Sequence, residues 1–128
     1  MKPELTLLAC AVGLAFLQII AAVLLTVPQV GLPALLGNRD DMPPIAGAAD
    51  RANRAYRNML ESLLLFTALI LIAAVAGKTN ATTLLGAQLF IWARLAYAII
   101  YVIGIPVLRT GAWFIAVIGM ALIFFQLV

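Results

Sequence analysis

The fold class follows from residues 5–27, LTLLACAVGLAFLQIIAAVLLTV, in which the polar side chains are Thr6, Gln18 and Thr26. As a helix this stretch is about 34 Å long at 1.5 Å per residue, enough to cross a bilayer with some tilt. The hydrophobic region of a signal peptide is shorter, about 7–15 residues, and a small-residue cleavage site follows it. Residues 5–27 therefore predict a transmembrane helix.

Three further apolar segments follow this first one along the chain. They run from about Ala52 to Ala76, Thr82 to Ile103 and Ala112 to Leu127. Turn residues separate them, namely Gly77-Lys78-Thr79-Asn80 and Gly104-Ile105-Pro106. The long connection from Pro28 to Asp50 is rich in proline and contains Arg39-Asp40-Asp41, so it is predicted to be an irregular surface loop. Residues 1–128 are thus predicted to form one domain, an all-α membrane bundle of four helices.

The composition agrees with a membrane protein and limits the chemistry. Hydrophobic residues make up 66% of the 128 positions, against about 45–50% in soluble domains. There is no histidine, which removes the usual neutral-pH base and the commonest metal ligand. The lone Cys10 gives no internal disulfide. The basic pI near 9.5 is interpreted as a matter of membrane topology and not of nucleic-acid binding.

The distribution of positive charge predicts the orientation. Arg39, Arg51, Arg54, Arg57 and Arg109 belong to one side of the predicted bundle, and the other side carries Lys2 and Lys78. Because cytoplasmic loops carry an excess of Lys and Arg, the arginine-rich side is predicted to be cytoplasmic. Both chain termini then lie on the opposite side of the membrane.

Two polar stripes interrupt the apolar helices. Arg51, Arg54, Asn58 and Glu61 are spaced by three, four and three residues on the second helix, and Arg94, Tyr97 and Tyr101 form a similar stripe on the third. A lone Arg or Asp at a helix centre costs about 2.5–3.5 kcal/mol in a membrane, so these groups are expected to face protein or water. Guanidinium groups bind carboxylates bidentately, which predicts a small ligand with a carboxylate. Two alternatives remain open: a structural Arg94–Glu61 pair, and arginines such as Arg51 and Arg57 that reach the headgroups.

The same stripes resemble a known family. Residues 51–61 read RANRAYRNMLE, and residues 94–101 read RLAYAIIY, followed by Leu108-Arg109-Thr110. Both motifs, in this order on a short chain of four spans, resemble the MAPEG family of membrane-associated proteins in eicosanoid and glutathione metabolism. The first motif is most similar to the branch of the microsomal prostaglandin E synthases and glutathione transferases.

The resemblance implies an assembly, a cofactor and a site. It implies a homotrimer of four-helix protomers that binds glutathione, as thiol cosubstrate, between neighbouring protomers near the cytosolic face. The residues that match the family's glutathione-binding positions are Arg54, Asn58, Glu61, Arg94, Tyr97 and Tyr101. Arg109 resembles the catalytic arginine near the sulfur, where a cation lowers the thiol pKa and favours the nucleophilic thiolate, and Arg94 is its rival for that role. A lipophilic electrophile would arrive from the membrane lipids.

Other functions are also compatible with a small four-helix membrane protein. The MAPEG family includes a member with no catalytic role, so a non-catalytic lipid-binding or scaffold protein is the alternative to a glutathione transferase or peroxidase. A small multidrug exporter is disfavoured, because it needs an acidic residue deep in the first helix and Glu4 lies at the extreme edge.

Overall fold

The computed structural model describes residues 1–37 and 43–128. These residues form five helices: α1 (Pro3–Val30), α2 (Leu32–Leu36), α3 (Gly47–Ala76), α4 (Ala81–Ile103) and α5 (Pro106–Leu127). No strand occurs within these two ranges. Helices α1, α3, α4 and α5 are each long and apolar enough to cross a membrane. The predicted all-α membrane bundle with four spans is confirmed, and the protein is a multi-pass integral membrane protein.

The long connection after the first span is more helical than predicted. Helix α1 continues through Pro28 to Val30, and α3 begins already at Gly47. A proline this close to a helix end removes only one late hydrogen bond, and the alanines after Gly47 favour helix. The prediction of an irregular loop from Pro28 to Asp50 is therefore wrong at both ends. Its charged segment Arg39-Asp40-Asp41 lies outside the described residues.

The last span is also longer than predicted. Helix α5 begins at Pro106 and not near Ala112, because proline is well suited to the first helical turn, where its missing N–H has no intrahelical partner to lose. The result places Arg109 in the first turn of α5. The helix also becomes long enough, at 22 residues, to span the hydrocarbon core.

Side-chain contacts close the two ends of the bundle. At one end, the Gln29 amide forms two hydrogen bonds with the backbone of Ala46, each 2.9 Å, and so fastens the α1–α3 connection at its base. At the other end, the Lys78 ammonium donates to the carbonyl of Leu127 at 3.0 Å. This second end holds both chain termini and the α3–α4 turn. The first end holds the α1–α3 connection and the α4–α5 turn, and it is called the arginine end below.

Small residues allow the helices to pack closely. The core is formed mainly by buried alanines and by the rings of Phe66 and Phe90, which stack with centroids 3.9 Å apart. Helices α4 and α5 approach one another at Gly86 and Gly119. A Cβ built on Gly86 would lie 2.5 Å from the Gly119 carbonyl oxygen, and one on Gly119 would lie 2.6 Å from the Gly86 oxygen. The two backbones are therefore in direct contact.

This contact predicts a large effect of a single methyl group. We expect Gly86→Ala to lower the free energy of unfolding by about 2 kcal/mol, because the clash is with backbone and no side-chain rotation relieves it. Gly111→Ala in α5 is the matched control, since a Cβ there meets nothing within 4 Å. Denaturation of both variants in detergent measures the difference. Equal stability of Gly86→Ala and wild type would show that α4 and α5 can move apart without a loss in the free energy of unfolding.

Candidate functional site

Three helices bring polar side chains together toward the arginine end. On α4, Arg94, Tyr97 and Tyr101 are spaced by three and four residues, so they lie on one face of the helix, and all three are buried. We call this set the arginine–tyrosine cluster; it consists of Arg54 and Asn58 from α3, Arg94, Tyr97 and Tyr101 from α4, and Arg109 from α5.

Arg94 is the deepest charged group of the cluster. It has 0% exposure and lies about 14 Å along α4 from the end of that helix, at 1.5 Å per residue. Its Nη1 donates to Oδ1 of Asn58 at 2.8 Å, and its Cζ lies 4.0 Å from the centroid of the Tyr97 ring. The Nε and Nη2 atoms are buried without a hydrogen-bond partner in the described part of the chain. Burying a charge without all of its hydrogen bonds lowers the stability of the folded protein.

The ring of Tyr101 contacts two further guanidinium groups. The Cζ of Arg109 lies 4.5 Å from the ring centroid, and the Cζ of Arg54 lies 5.7 Å from it. The rings of Tyr97 and Tyr101 adjoin one another, with centroids 5.5 Å apart and an interplanar angle of 59°. Each cation over an aromatic face contributes about 0.5–2 kcal/mol. The tyrosine pair therefore holds three arginines, from three helices, close together.

Acidic side chains compensate little of this positive charge. Arg54 pairs with Asp50 at 3.1 Å, but both side chains are well exposed, at 52% and 39%, and such a pair contributes under about 1 kcal/mol. Within residues 1–37 and 43–128, neither Arg94 nor Arg109 has an acidic partner. The same residues contain no group of His, Cys, Asp and Glu side chains that could hold a metal ion. The cluster is therefore suited to bind an anion.

Glu61 differs from Arg54, the other exposed residue of the predicted site, because it has no ion-pair partner in the described part of the chain. It is exposed on the surface of α3, and it makes no ion pair among the residues that the structure describes. The structural Arg94–Glu61 pair, one of the alternatives that the sequence left open, is therefore not formed in this structure. The carboxylate is therefore not used by an ion pair in the described part of the chain.

Arg51 is a residue whose partner the sequence analysis missed. Its Nε donates to the backbone carbonyl of Val102 at 2.9 Å, so part of its guanidinium is bound by the protein itself. Arg57, on the same helix, is exposed and contacts the ring of the adjacent Tyr56 with a Cζ-to-centroid distance of 5.9 Å. The signal that could have identified the Arg51 contact is Pro106, which leaves the Val102 carbonyl without its usual helical donor.

An apolar groove lies beside the cluster. It has a volume of about 400 Å³ and is lined by residues of α1, α3 and α4, among them Leu14, Gln18 and Ala55. Ala55 also packs with Tyr97 and Tyr101, so it separates the groove from the tyrosine pair. Gln18 supplies a buried amide oxygen that has no hydrogen-bond partner within the described ranges. The groove suits an apolar chain and not a charged peptide.

Comparisons with known proteins identify the family. No curated protein and no solved structure matches the chain significantly. The model of the MAPEG family matches residues 6–128. The matched range contains the whole arginine–tyrosine cluster and nearly all of the four spans. The chain belongs to the MAPEG family.

Proposed function

We propose that the protein is a membrane-embedded, glutathione-dependent transferase or peroxidase that activates the glutathione thiol for attack on lipophilic electrophiles. Membership of the MAPEG family is consistent with a glutathione-related transferase or lipid-metabolism role. One observation carries the proposal: the guanidinium groups of Arg54, Arg94 and Arg109 meet at a tyrosine pair, and among residues 1–37 and 43–128 only Arg54 of the three has an acidic partner.

Glutathione has the charges that such a cluster lacks. The tripeptide carries two carboxylates, one ammonium group and a thiol, and it gains a further negative charge when the thiol ionises. In the proposal, Arg54, Arg94 and Asn58 bind carboxylate and peptide groups, and Glu61 accepts from the ammonium group. The hydroxyls of Tyr97 and Tyr101 supply further hydrogen bonds. Tyr97 covers the Arg94 guanidinium, so its ring moves aside when a carboxylate reaches Arg94.

Arg109 has the proposed catalytic role. It belongs to the first turn of α5 and lies over Tyr101, at the outer part of the cluster. A guanidinium near the sulfur lowers the thiol pKa, and the thiolate is the nucleophile. The sulfur then forms a bond to the electrophilic carbon, whose displaced electron pair leaves with a departing group or takes up a proton.

The proposed assembly is a homotrimer. Arg54, Arg57 and Glu61 are exposed on α3, and the lipid core offers such groups no hydrogen bonds. Packing against a neighbouring protomer would cover them. In the cell, the arginine end would face the cytoplasm and both termini the opposite side.

The trimer is directly measurable. We expect native mass spectrometry of the purified protein in detergent to show predominantly trimers, with or without glutathione. Chemical crosslinking provides an independent check on the same sample. A population that contains monomers or dimers but no trimers would contradict the proposed assembly.

A ligand series tests the proposed function. Glutathione should raise the unfolding temperature of the purified protein, and glutathione diethyl ester, in which both carboxylates are neutralised, should not. Wild-type protein should also conjugate a chlorodinitrobenzene with glutathione. If glutathione produces no thermal shift and no conjugate forms, the proposal is wrong. Thermal stabilisation by a lipid alone would then favour the non-catalytic lipid-binding or scaffold function.

A further inference from the structure

Arg51 links α3 to the end of α4. Its Nε donates to the carbonyl oxygen of Val102 at 2.9 Å, over a separation of 51 residues in sequence. The side chain also lies against Gly104, because a Cβ built on that glycine would be 3.4 Å from the Arg51 Nε and 3.5 Å from its Cζ. Arg51 is half-buried, and these contacts lie at the α4–α5 turn.

The Val102 carbonyl needs a donor from outside its own helix. In a continuing helix it would accept from the N–H of the residue at position 106, but that residue is Pro106, which has none. The neighbouring Ile100 carbonyl, in contrast, accepts from the N–H groups of Gly104 and Ile105, at 2.9 and 3.3 Å. Arg51 supplies the missing donor, and its positive charge is favourable at a helix C-terminus.

The turn that Arg51 contacts is short and directly connected to the proposed site. Only Gly104 and Ile105 lie between α4 and α5, and Gly104 has a φ of +95°, a conformation that other residues rarely adopt. The backbone N–H of Arg109 donates to the Ile105 carbonyl at 3.2 Å. From the first turn of α5, the Arg109 side chain extends back toward α4 and lies over the ring of Tyr101. A displacement of the turn therefore displaces Arg109.

We infer that Arg51 is a positioning residue that fixes the α4–α5 turn and, through it, holds Arg109 over Tyr101. Arg51 itself does not touch the tyrosine pair within the described residues, and its Nε is engaged by a backbone carbonyl. The consequence for turnover rests on the proposed function, in which Arg109 steadies the thiolate. The consequence for the turn rests on the structure alone, and the two can be tested separately.

Hydrogen exchange tests the structural part without glutathione. In Arg51→Met, which keeps an unbranched apolar stem but removes all the donors of the side chain, we expect faster amide exchange in residues 103–109. Arg51→Lys should restore part of the protection, because its ammonium group can reach a carbonyl. Arg57→Met is the matched control: the residue is an exposed arginine of the same helix, and its substitution should leave this segment unchanged. Unchanged exchange in Arg51→Met would overturn the inference.

A double-mutant cycle tests the catalytic part. We expect Arg51→Met to lower kcat about tenfold, equivalent to one pKa unit of the bound thiol, while the KM for glutathione changes little. In an Arg109→Leu background the same substitution should have almost no further effect, because residues that act through one another are not additive. Additive losses would contradict the inference.

The two experiments also separate this inference from the proposed function. If wild-type protein neither binds glutathione nor turns over, the proposed function fails. The exchange measurement then decides alone whether Arg51 fixes the turn. If wild-type protein is active but Arg51→Met changes neither exchange nor kcat, the inference fails and the proposed function stands.

Discussion

Arg94→Met is expected to abolish most glutathione binding while leaving the unliganded protein at least as stable as wild type. A hydrogen-bonded charge contributes up to about 3 kcal/mol, which corresponds to roughly a hundredfold weaker affinity. The stability should be kept because methionine removes two buried guanidinium nitrogens that have no partner in the described part of the chain. Removing the guanidinium removes the cost of burying a charge without a counter-ion and leaves no unpaired charge behind.

Calorimetric titration and thermal denaturation of one preparation measure both quantities. Lys78→Met, which removes a cation at the other end of the bundle, should change neither the affinity nor the site. If Arg94→Met instead unfolds at a much lower temperature and binds glutathione with wild-type affinity, Arg94 is a structural partner of Asn58 and not a ligand-binding group.

Arg109→Leu and Arg54→Leu are expected to have opposite effects. Arg109→Leu should lower turnover and leave glutathione affinity nearly unchanged, since the carboxylate-binding groups remain. If the guanidinium lowers the thiol pKa by about two units, its removal costs about 2.7 kcal/mol, or roughly a hundredfold in the thiolate fraction at low pH. Arg54→Leu should mainly weaken binding. Steady-state kinetics that separate kcat from KM distinguish the two variants.

The pH dependence of the activity shows in which direction Arg109 shifts the thiol pKa. A lowered thiol pKa means that wild-type activity is retained until the pH falls below that lowered value. In Arg109→Leu the midpoint should move up toward the free thiol, about 8.5, so the loss of activity shrinks as the pH rises. The same series on Arg94→Met is the control. If Arg109→Leu keeps full activity near neutral pH and Arg94→Met shows the shifted midpoint, Arg94 steadies the thiolate.

Hydropathy and helical spacing were sufficient to predict the bundle. The four apolar segments all form helices that are long and apolar enough to cross a membrane, as expected where a bilayer leaves the backbone few other ways to satisfy its hydrogen bonds. The helix ends were predicted less well. In the sequence Pro28 and Pro106 suggest the ends of helices, but a proline near a helix end or in its first turn costs little stability. The Arg109 segment therefore belongs to α5 and not to a loop.

Spacing could place residues on a helix face but could not identify their partners. The stripe of Arg94, Tyr97 and Tyr101 lies on one buried face, as its spacing predicts. The residues of the α3 stripe have different partners and do not act as one cluster. Asn58 accepts a hydrogen bond from Arg94, Arg51 donates to the end of α4, and Glu61 is exposed. Which groups meet across helices depends on the rotation and depth of each helix in the bundle. Helical spacing alone does not specify either quantity.

The ionisation state of bound glutathione tests the proposed chemistry most directly. Purified protein in detergent is titrated with glutathione while the ultraviolet absorbance of the thiolate is followed over a range of pH. We predict that thiolate appears on binding at neutral pH, with a midpoint well below that of free glutathione, and that Arg109→Leu returns the midpoint toward the free value. Glutathione that binds the wild-type protein but titrates as the free thiol would contradict thiol activation by this cluster.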